Sequence, residues 1–128
     1  MRILGLSLVS FFSVVLFSFV SLSAENFRIV IPDQVYRGAQ PSKQDFSDLA
    51  LLKVKTVLDL RSEQSLIDQE SLTVTGLGMK FVSIPLLGPS PEKNDRQLLE
   101  EVLNRKDLRP IFVHGQTLSS SQFLEKND

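Results

Sequence analysis

The chain has 128 residues, with 14 basic and 15 acidic side chains, a net charge of −1 and no cysteine. This length accommodates at most one ordinary domain. The near-neutral charge and the lack of a basic block argue against nucleic acid as a partner. The absence of cysteine excludes disulfides, thiolate metal ligands and a thiol nucleophile.

The first 24 residues have the pattern of an export signal. One base, Arg2, precedes an apolar stretch over residues 3–22, small residues end the stretch, and no acidic residue occurs before Glu25. This pattern predicts a signal peptide over residues 1–24, cleaved near Ala24. The stretch is also long enough to span a bilayer, so an uncleaved membrane anchor stays open as the alternative. In both cases the remainder is exported, and is periplasmic, secreted or membrane-anchored.

Two short strands and a helix are predicted at the start of the exported part. Residues 27–31 alternate apolar and polar side chains before a proline, which predicts an edge strand. A second short strand is predicted over residues 35–37. Ser42 and, three residues later, Asp45 form a capping box, which predicts a helix over residues 43–52.

The middle of the chain predicts two buried strands joined by a helix. Residues 54–60 and 79–84 are rich in apolar and β-branched side chains, which indicates strands buried between layers. Between them Ser62 is predicted to cap a helix over residues 63–74. The apolar face of that helix is predicted to contain Leu66, Ile67 and Leu72.

A third helix and a fourth core strand are predicted next. Ser90 and Pro91 stand in N-cap and N1 order at the start of the helix. Residues 110–113 predict the strand, and the chain is polar and serine-rich from Gln116 onward. The apolar stripe of the helix is predicted to consist of Leu98, Leu99, Val102 and Leu103.

The alternation of strands and helices predicts an α/β fold. Its sheet is expected to be mainly parallel, with right-handed crossovers and helices on both faces. Ligands of such sheets bind beyond the carboxyl ends of the strands. Residues 59–61, 85–87 and 114–116 are therefore the segments where chemistry is expected.

Four motifs in succession resemble the bacterial dual-specificity, tyrosine-phosphatase-like proteins. They are Val-Tyr-Arg-Gly-Ala-Gln-Pro-Ser from Val35, Lys-Thr-Val-Leu-Asp-Leu-Arg from Lys55, Phe-Val-Ser-Ile-Pro-Leu from Phe81 and Pro-Ile-Phe-Val-His from Pro110. The resemblance implies a phosphate monoester hydrolase with a phosphorylated protein or small phosphate ester as substrate, and without cofactor or metal. In that family the last strand leads into His-Cys, five loop residues and Arg. The thiolate attacks phosphorus, the loop N–H groups and the arginine hold the phosphoryl oxygens, and an aspartic acid protonates the leaving group.

The resemblance stops within this last motif. Gly115 occupies the position of the cysteine, Ser121 occupies that of the arginine, and no arginine follows Arg109. Glycine has no side chain that could form a covalent intermediate. The family's C-terminal helices also have no counterpart in the sequence. The expected organisation is therefore a signal or anchor over residues 1–24, a partial phosphatase-like domain over residues 25–115 and a non-matching polar tail over residues 116–128.

Several residues remain candidates for a site in which no catalytic group is intact. Asp95 is the candidate proton donor, although the helix macrodipole also explains an acid in a first turn. Arg61 either binds an anion or, as a pair with Asp59 at the strand end, makes structural hydrogen bonds to loops. The candidate substrate-binding residues are Arg61, His114, Gly115 and Gln116.

Three functions are compatible with these observations, and they leave open whether the chain is an enzyme. The first is a phosphatase-like protein that is inactive as written. The second is a non-catalytic module that binds phosphate or protein. The third is a truncated or frame-shifted product without independent function, since the match is good through His114 and then stops in the middle of a motif.

Overall fold

The computed structural model describes residues 27–87 and 92–115 as a five-stranded sheet with three α-helices. The strands are β1 (Arg28–Ile31), β2 (Val35–Gly38), β3 (Thr56–Asp59), β4 (Lys80–Ser83) and β5 (Ile111–His114). The helices are α1 (Lys43–Leu51), α2 (Gln64–Gly76) and α3 (Lys93–Asn104), and a short 3-10 turn (Lys106–Leu108) precedes β5.

The sheet is mainly parallel, as the sequence predicts. Its strand order is β1-β2-β5-β3-β4, and only the pair formed by β1 and β2 is antiparallel. The first strand is thus an edge strand, and β5 lies at the centre with both neighbours parallel to it. The carboxyl ends of β2, β3 and β5 consequently meet at one edge of the sheet.

Helices cover both faces of the sheet, which confirms the predicted α/β class. On one face, Phe46 of α1 and Val74 of α2 pack with Val57 and Phe112. On the other face α3 packs against a second apolar cluster. That cluster contains Leu99 and Val102 together with Leu58, Leu60, Ile111 and Val113.

The first helix begins where its capping box predicts. The Ser42 hydroxyl accepts a hydrogen bond from the Asp45 N–H at 3.1 Å, and the Asp45 carboxylate accepts one from the Ser42 N–H at 2.8 Å. Two of the donors that a helix leaves unpaired at its start are therefore satisfied locally.

The second helix departs from its prediction at its start and on its buried face. Glu63, rather than Ser62, is the N-cap, and it makes no side-chain capping bond. Leu72 was expected in the core but is 76% exposed. The buried residues are Ile67, Glu70 and Val74, so the helix buries a carboxylate where an apolar side chain was expected.

The third helix shows a narrower apolar stripe than predicted. Leu99 and Val102 are buried and Leu103 is half-buried, but Leu98 is 47% exposed. The helix begins after Glu92, which is its N-cap. The proposed cap residues, Ser90 and Pro91, lie outside the described residues.

Within residues 27–87 and 92–115, no helix is long and apolar enough to cross a membrane. The predicted export segment and the predicted polar tail both lie outside the described residues.

Gly38 allows β2 to lie directly against the ring of Phe112. A Cβ at this position would stand 3.0 Å from Cζ and 3.2 Å from Cε2 of Phe112, which is fully buried. We expect Gly38→Ala to lower the free energy of unfolding by about 1–3 kcal/mol, because the overpacked ring cannot move away. Urea denaturation followed by circular dichroism measures the change.

The matched control is Gly76→Ala at the end of α2, where an added Cβ meets nothing within 4 Å. That variant should be at least as stable as the parent, since alanine favours helix over glycine by about 1 kcal/mol. Equal stability of the Gly38→Ala variant and the parent would show that the close approach carries no constraint.

Candidate functional site

The carboxyl ends of two neighbouring strands carry buried ionisable side chains. Asp59 ends β3 and His114 ends β5, and the two residues are paired across the ladder. Both are completely buried. The Leu60 N–H donates to the His114 carbonyl at 2.9 Å and so holds the two strand ends together beyond the ladder.

Arg61 folds back onto Asp59 directly after β3. Its backbone N–H donates to Asp59 Oδ1 at 2.8 Å, its Nε donates to both carboxylate oxygens at 3.1 Å, and its Nη2 donates to Oδ2 at 2.8 Å. Such a forked contact between guanidinium and carboxylate fixes orientation as well as charge. The structural pairing of Asp59 with Arg61 that the sequence left open is therefore formed.

Glu70 connects this pair to the rest of the site. Its Oε1 accepts hydrogen bonds from Arg61 Nη2 at 3.0 Å and from Gln40 Nε2 at 2.8 Å. Its Oε2 lies 2.5 Å from Nε2 of His114. One carboxylate on α2 thus joins the ends of β3 and β5 to the loop before α1. We call Asp59, Arg61, Glu70 and His114 the buried ionic cluster.

Aromatic rings enclose the imidazole of His114. The ring of Phe112 stacks on it with a centroid distance of 6.1 Å, and the ring of Phe46 meets it edge to face at 6.4 Å. Its Nδ1 is buried and has no hydrogen-bond partner within the described part of the chain. His114 is therefore held through one nitrogen by Glu70 and through its faces by apolar contact.

The charges of the cluster stabilise one another. Burial raises the pKa of Asp59, but the hydrogen bonds from Arg61 and the positive charges of His114 and Arg61 outweigh burial, so this pKa lies below its ordinary value. Burial lowers the pKa of Arg61, and the hydrogen bonds and charge of Asp59, with the charge of Glu70, raise it above its ordinary value. Arg61 therefore stays charged and compensates two carboxylates.

The cluster contains metal-ligating atoms but does not form a metal site. Ligand atoms of Asp59, Glu70 and His114 lie within 4.8 Å of one another. However, the guanidinium of Arg61 already bridges the two carboxylates, and it would repel a cation placed between them. The remaining Glu70 oxygen is bonded to His114. This donor set fits a closed network of ion pairs and does not fit a metal ion.

A cleft of about 190 Å³ opens beside the cluster, between α1 and α2. Arg61 and Glu70 form part of its wall. The charges of these two residues are paired with each other, so the cleft does not present an uncompensated cation from Arg61 to an anion. The other lining residues are Gln40, Pro41, Lys43, Phe46, Leu66, Gln69 and Thr73.

The structure brings some of the proposed site residues together and separates others. Arg61 and His114 belong to the same cluster, and Gly115 follows β5 as a buried residue. Gln116 lies outside the described residues. Asp95 is in the first turn of α3, which packs on the face of the sheet opposite to Glu70 and α2. No described hydrogen bond joins Asp95 to the cluster.

Sequence reasoning missed Glu70 and Gln40. The available signal was the spacing of Ile67, Glu70 and Val74, which lie three and four residues apart and share one helix face. A carboxylate in the middle of a buried stripe requires a partner. The identity of that partner could not be read from the sequence, because His114 stands 44 residues further along the chain.

The lowered pKa of Asp59 predicts a loss of stability in acid. A carboxyl whose pKa is lower in the folded state stabilises the fold fully above its unfolded pKa of about 3.9, and this contribution is lost as the pH falls through the folded pKa. We expect the difference in unfolding free energy between the parent and Asp59→Asn to shrink as the pH falls from about 5 to about 3. Urea titrations across this range measure the difference.

The exposed Asp107, which pairs with Arg105, supplies the control. Replacing Asp107 with asparagine should leave the acid dependence of stability almost unchanged, since solvent screens that pair. A constant difference between the parent and Asp59→Asn over the whole range would show that Asp59 does not contribute the acid sensitivity.

Fold and site together define a class. The mainly parallel five-stranded sheet with helices on both faces is the fold of phosphatase-like α/β proteins. A protein-family model described as DSP-PTPase phosphatase fused to NAD+ kinase matches residues 11–118. The chain belongs to this family, which confirms the predicted relation to dual-specificity phosphatases.

Solved structures give the same fold. A DUF442 protein from Shewanella putrefaciens CN-32 is 23% identical, with a TM-score of 0.70 over 80% of this chain and 70% of that one. The core catalytic domain of the PP-IP phosphatase SIW14 from S. cerevisiae is 24% identical, with a TM-score of 0.60 over 72% of this chain and 57% of that one. A phosphatase-like protein from Neisseria meningitidis Z2491 is 20% identical, with a TM-score of 0.62 over 77% of this chain and 75% of that one. No curated protein sequence matches the chain.

Proposed function

We propose that this chain is a phosphatase-like protein that does not hydrolyse phosphate monoesters by the cysteine-dependent route. One observation carries the proposal. Gly115 directly follows His114 at the buried end of the central strand, where the family's nucleophile stands, and the chain contains no cysteine. Without a side chain at this position no phosphoryl-enzyme bond can form.

The neighbouring groups do not replace the missing machinery. Phosphoryl transfer depends on positioned donors and positive charge at the phosphoryl oxygens. Arg61 is a permanent cation at this site, but it already forms ion pairs with Asp59 and Glu70. Turning it toward a substrate would leave the buried carboxylate of Asp59 without its ion pair and would remove one partner of Glu70, which is costly. Arg61 therefore supports the fold and does not substitute for the family's loop arginine.

The substrate class of an active ancestor would be a phosphorylated protein or a small phosphate ester. The family implies this class, and the general rule that ligands of parallel sheets bind beyond the carboxyl ends of the strands supports a position near His114. In the present chain the same edge offers at most weak anion binding without turnover.

The test is a phosphatase assay of the purified chain with an aryl phosphate and a tyrosine phosphopeptide. The expected result is release of phosphate at the rate of the protein-free blank, with and without vanadate. An active cysteine phosphatase assayed in parallel shows that the conditions support turnover. Vanadate-sensitive hydrolysis that copurifies with the chain would overturn the proposal.

We also propose that loss of reading frame produced the ending of the matching region. The supporting observation is the position of the differences. All four motifs match through His114, and the missing cysteine, the missing arginine and the polar composition all fall after it. Gradual drift would scatter losses among the motifs, whereas a single insertion or deletion changes every residue on one side of a point.

A further inference from the structure

The sheet edge opposite the buried ionic cluster is basic. Each of the four parallel strands is preceded by a short segment that begins after the previous helix or strand. Counted through the first residue of each strand, these segments contain six bases and two acids, although the whole chain has a net charge of −1. The bases are Lys53, Lys55, Lys80, Arg105, Lys106 and Arg109, and the acids are Asp33 and Asp107. We call this surface the basic edge.

Backbone hydrogen bonds make these segments one continuous surface. The Lys80 N–H donates to the Lys55 carbonyl at 2.8 Å, and the Lys55 N–H donates to the Pro110 carbonyl at 2.9 Å. The Ile111 N–H donates to the Gln34 carbonyl at 2.9 Å. The bases therefore lie side by side across the sheet, although they are far apart in the sequence.

Four lysines supply most of the positive charge that is not in an ion pair, although the charge of Lys80 also acts on Asp107. Arg105 is paired with Asp107 at 2.7 Å, and Arg109 donates to the Leu103 carbonyl at 2.9 Å. No salt bridge within the described residues uses the lysines, and all of them are exposed. They are Lys53, Lys55, Lys80 and Lys106.

Exposed leucines stand beside these lysines. Leu51 and Leu52 end α1 directly before Lys53, and they are 71% and 44% exposed. Leu77 ends α2 three residues before Lys80 and is 38% exposed. Because both helices run antiparallel to the parallel strands, their last residues reach the same edge of the sheet.

We propose that the basic edge binds the surface of an anionic lipid bilayer. Lysines near a membrane are attracted by anionic headgroups, and large apolar side chains beside them can enter the boundary between headgroups and acyl chains. A polyanion such as nucleic acid would use the lysines but gain nothing from the leucines. The combination of both on one surface therefore favours lipid as the partner.

The first described strand enters the sheet away from the basic edge. In the antiparallel register of β1 and β2, Arg28 at the start of β1 lies opposite Arg37 near the end of β2. The chain therefore joins the sheet at the carboxyl-end edge, opposite to the basic edge. Docking through the basic edge directs the buried ionic cluster and its cleft away from the lipid surface.

The test is vesicle cosedimentation of the exported product of the full-length gene, with its N-terminus identified by intact mass. Vesicles of phosphatidylcholine alone are compared with vesicles that contain phosphatidylglycerol. Binding is expected to increase with phosphatidylglycerol and to weaken with added salt. An equal partition into both kinds of vesicle would overturn the proposal.

Two charge-reversal variants locate the contact. Lys55→Glu with Lys106→Glu changes the basic edge, and Lys43→Glu with Lys93→Glu changes exposed lysines of α1 and α3 at the other edge by the same net charge. At about fivefold for each cation removed, the first pair should weaken binding to anionic vesicles by about 25-fold or more, and the second pair should have a small effect. Equal losses for both pairs would show a response to net charge alone and would contradict a lipid-binding edge.

The leucines separate lipid from other anions. Leu51→Gln with Leu77→Gln should weaken vesicle binding and leave retention on a heparin column unchanged. Suppose that Lys55→Glu with Lys106→Glu lowers heparin retention, but that the leucine changes do not affect vesicle binding. The basic edge then binds a soluble polyanion, and the membrane proposal is wrong.

Discussion

Replacing Arg61 with leucine is expected to lower the free energy of unfolding by about 3–5 kcal/mol, because the change leaves Asp59 as a buried carboxylate without its ion pair and removes one partner of Glu70. A domain of this size has a net stability of about 5–15 kcal/mol, so this loss is a large fraction of the total, and the variant should unfold at a lower urea concentration than the parent. Urea denaturation followed by circular dichroism measures the loss. The free energy of unfolding of Arg61→Lys should lie between those of the parent and Arg61→Leu, since lysine keeps the charge and loses the forked contact.

Two controls connect this loss to the buried charge. Arg105→Leu removes an arginine from an ion pair that is exposed on both sides, and it should not change stability measurably. A triple variant with Arg61→Met, Asp59→Asn and Glu70→Gln removes the cation together with both carboxylates, and it should recover much of the stability. If the triple variant is no more stable than Arg61→Leu, packing of the arginine side chain, and not its charge, accounts for the loss.

Local sequence signals predicted the elements of the fold well. The capping box of Ser42 and Asp45 acts within three residues, and the structure shows both of its bonds. The buried strands could be read because β3 and β5 are covered on both faces and are accordingly apolar. The order of the strands was not predicted, because the handedness of the crossovers alone is compatible with more than one order.

The errors occurred where a distant contact decided the outcome. Leu72 was predicted to lie on the apolar face of α2, but in the structure Leu72 is exposed and Glu70 faces inward instead. The buried carboxylate of Glu70 is stabilised by its contacts with Arg61, Gln40 and His114, which belong to three other segments of the chain. The sequence pattern of α2 contains no information about these partners. A prediction from the local pattern therefore places an apolar residue in the core, where the structure has the charged Glu70.

The same contacts hold the ends of β3 and β5 in a fixed arrangement. Asp59, Arg61 and His114 keep their geometry because Glu70 binds them to one another, and this geometry does not require the nucleophile. The described hydrogen bonds of the cluster involve no residue after His114. The arrangement of these strand ends is therefore held by residues that precede the end of the matching motifs.

Restoring the reading frame after codon 114 should convert the chain into a hydrolase. If one insertion or deletion caused the break, the DNA beyond codon 114 still encodes the lost residues in another frame. That frame should contain a glycine, an arginine at the spacing of a phosphate loop and an apolar helix after them. Sequencing the coding DNA and translating it in three frames shows whether one of the frames encodes these residues.

The repaired gene provides the functional measurement. With the frame restored, and the cysteine codon repaired if the lesion includes it, the product should hydrolyse aryl phosphates at least about 10²-fold above the parent, because both the nucleophile and the oxyanion-binding donors return. Changing that cysteine to serine should abolish the activity, while circular dichroism shows that the fold is kept. If no frame encodes a loop with an arginine at this spacing, the sequence after His114 arose by another route, and a non-catalytic binding role becomes the better account of the chain.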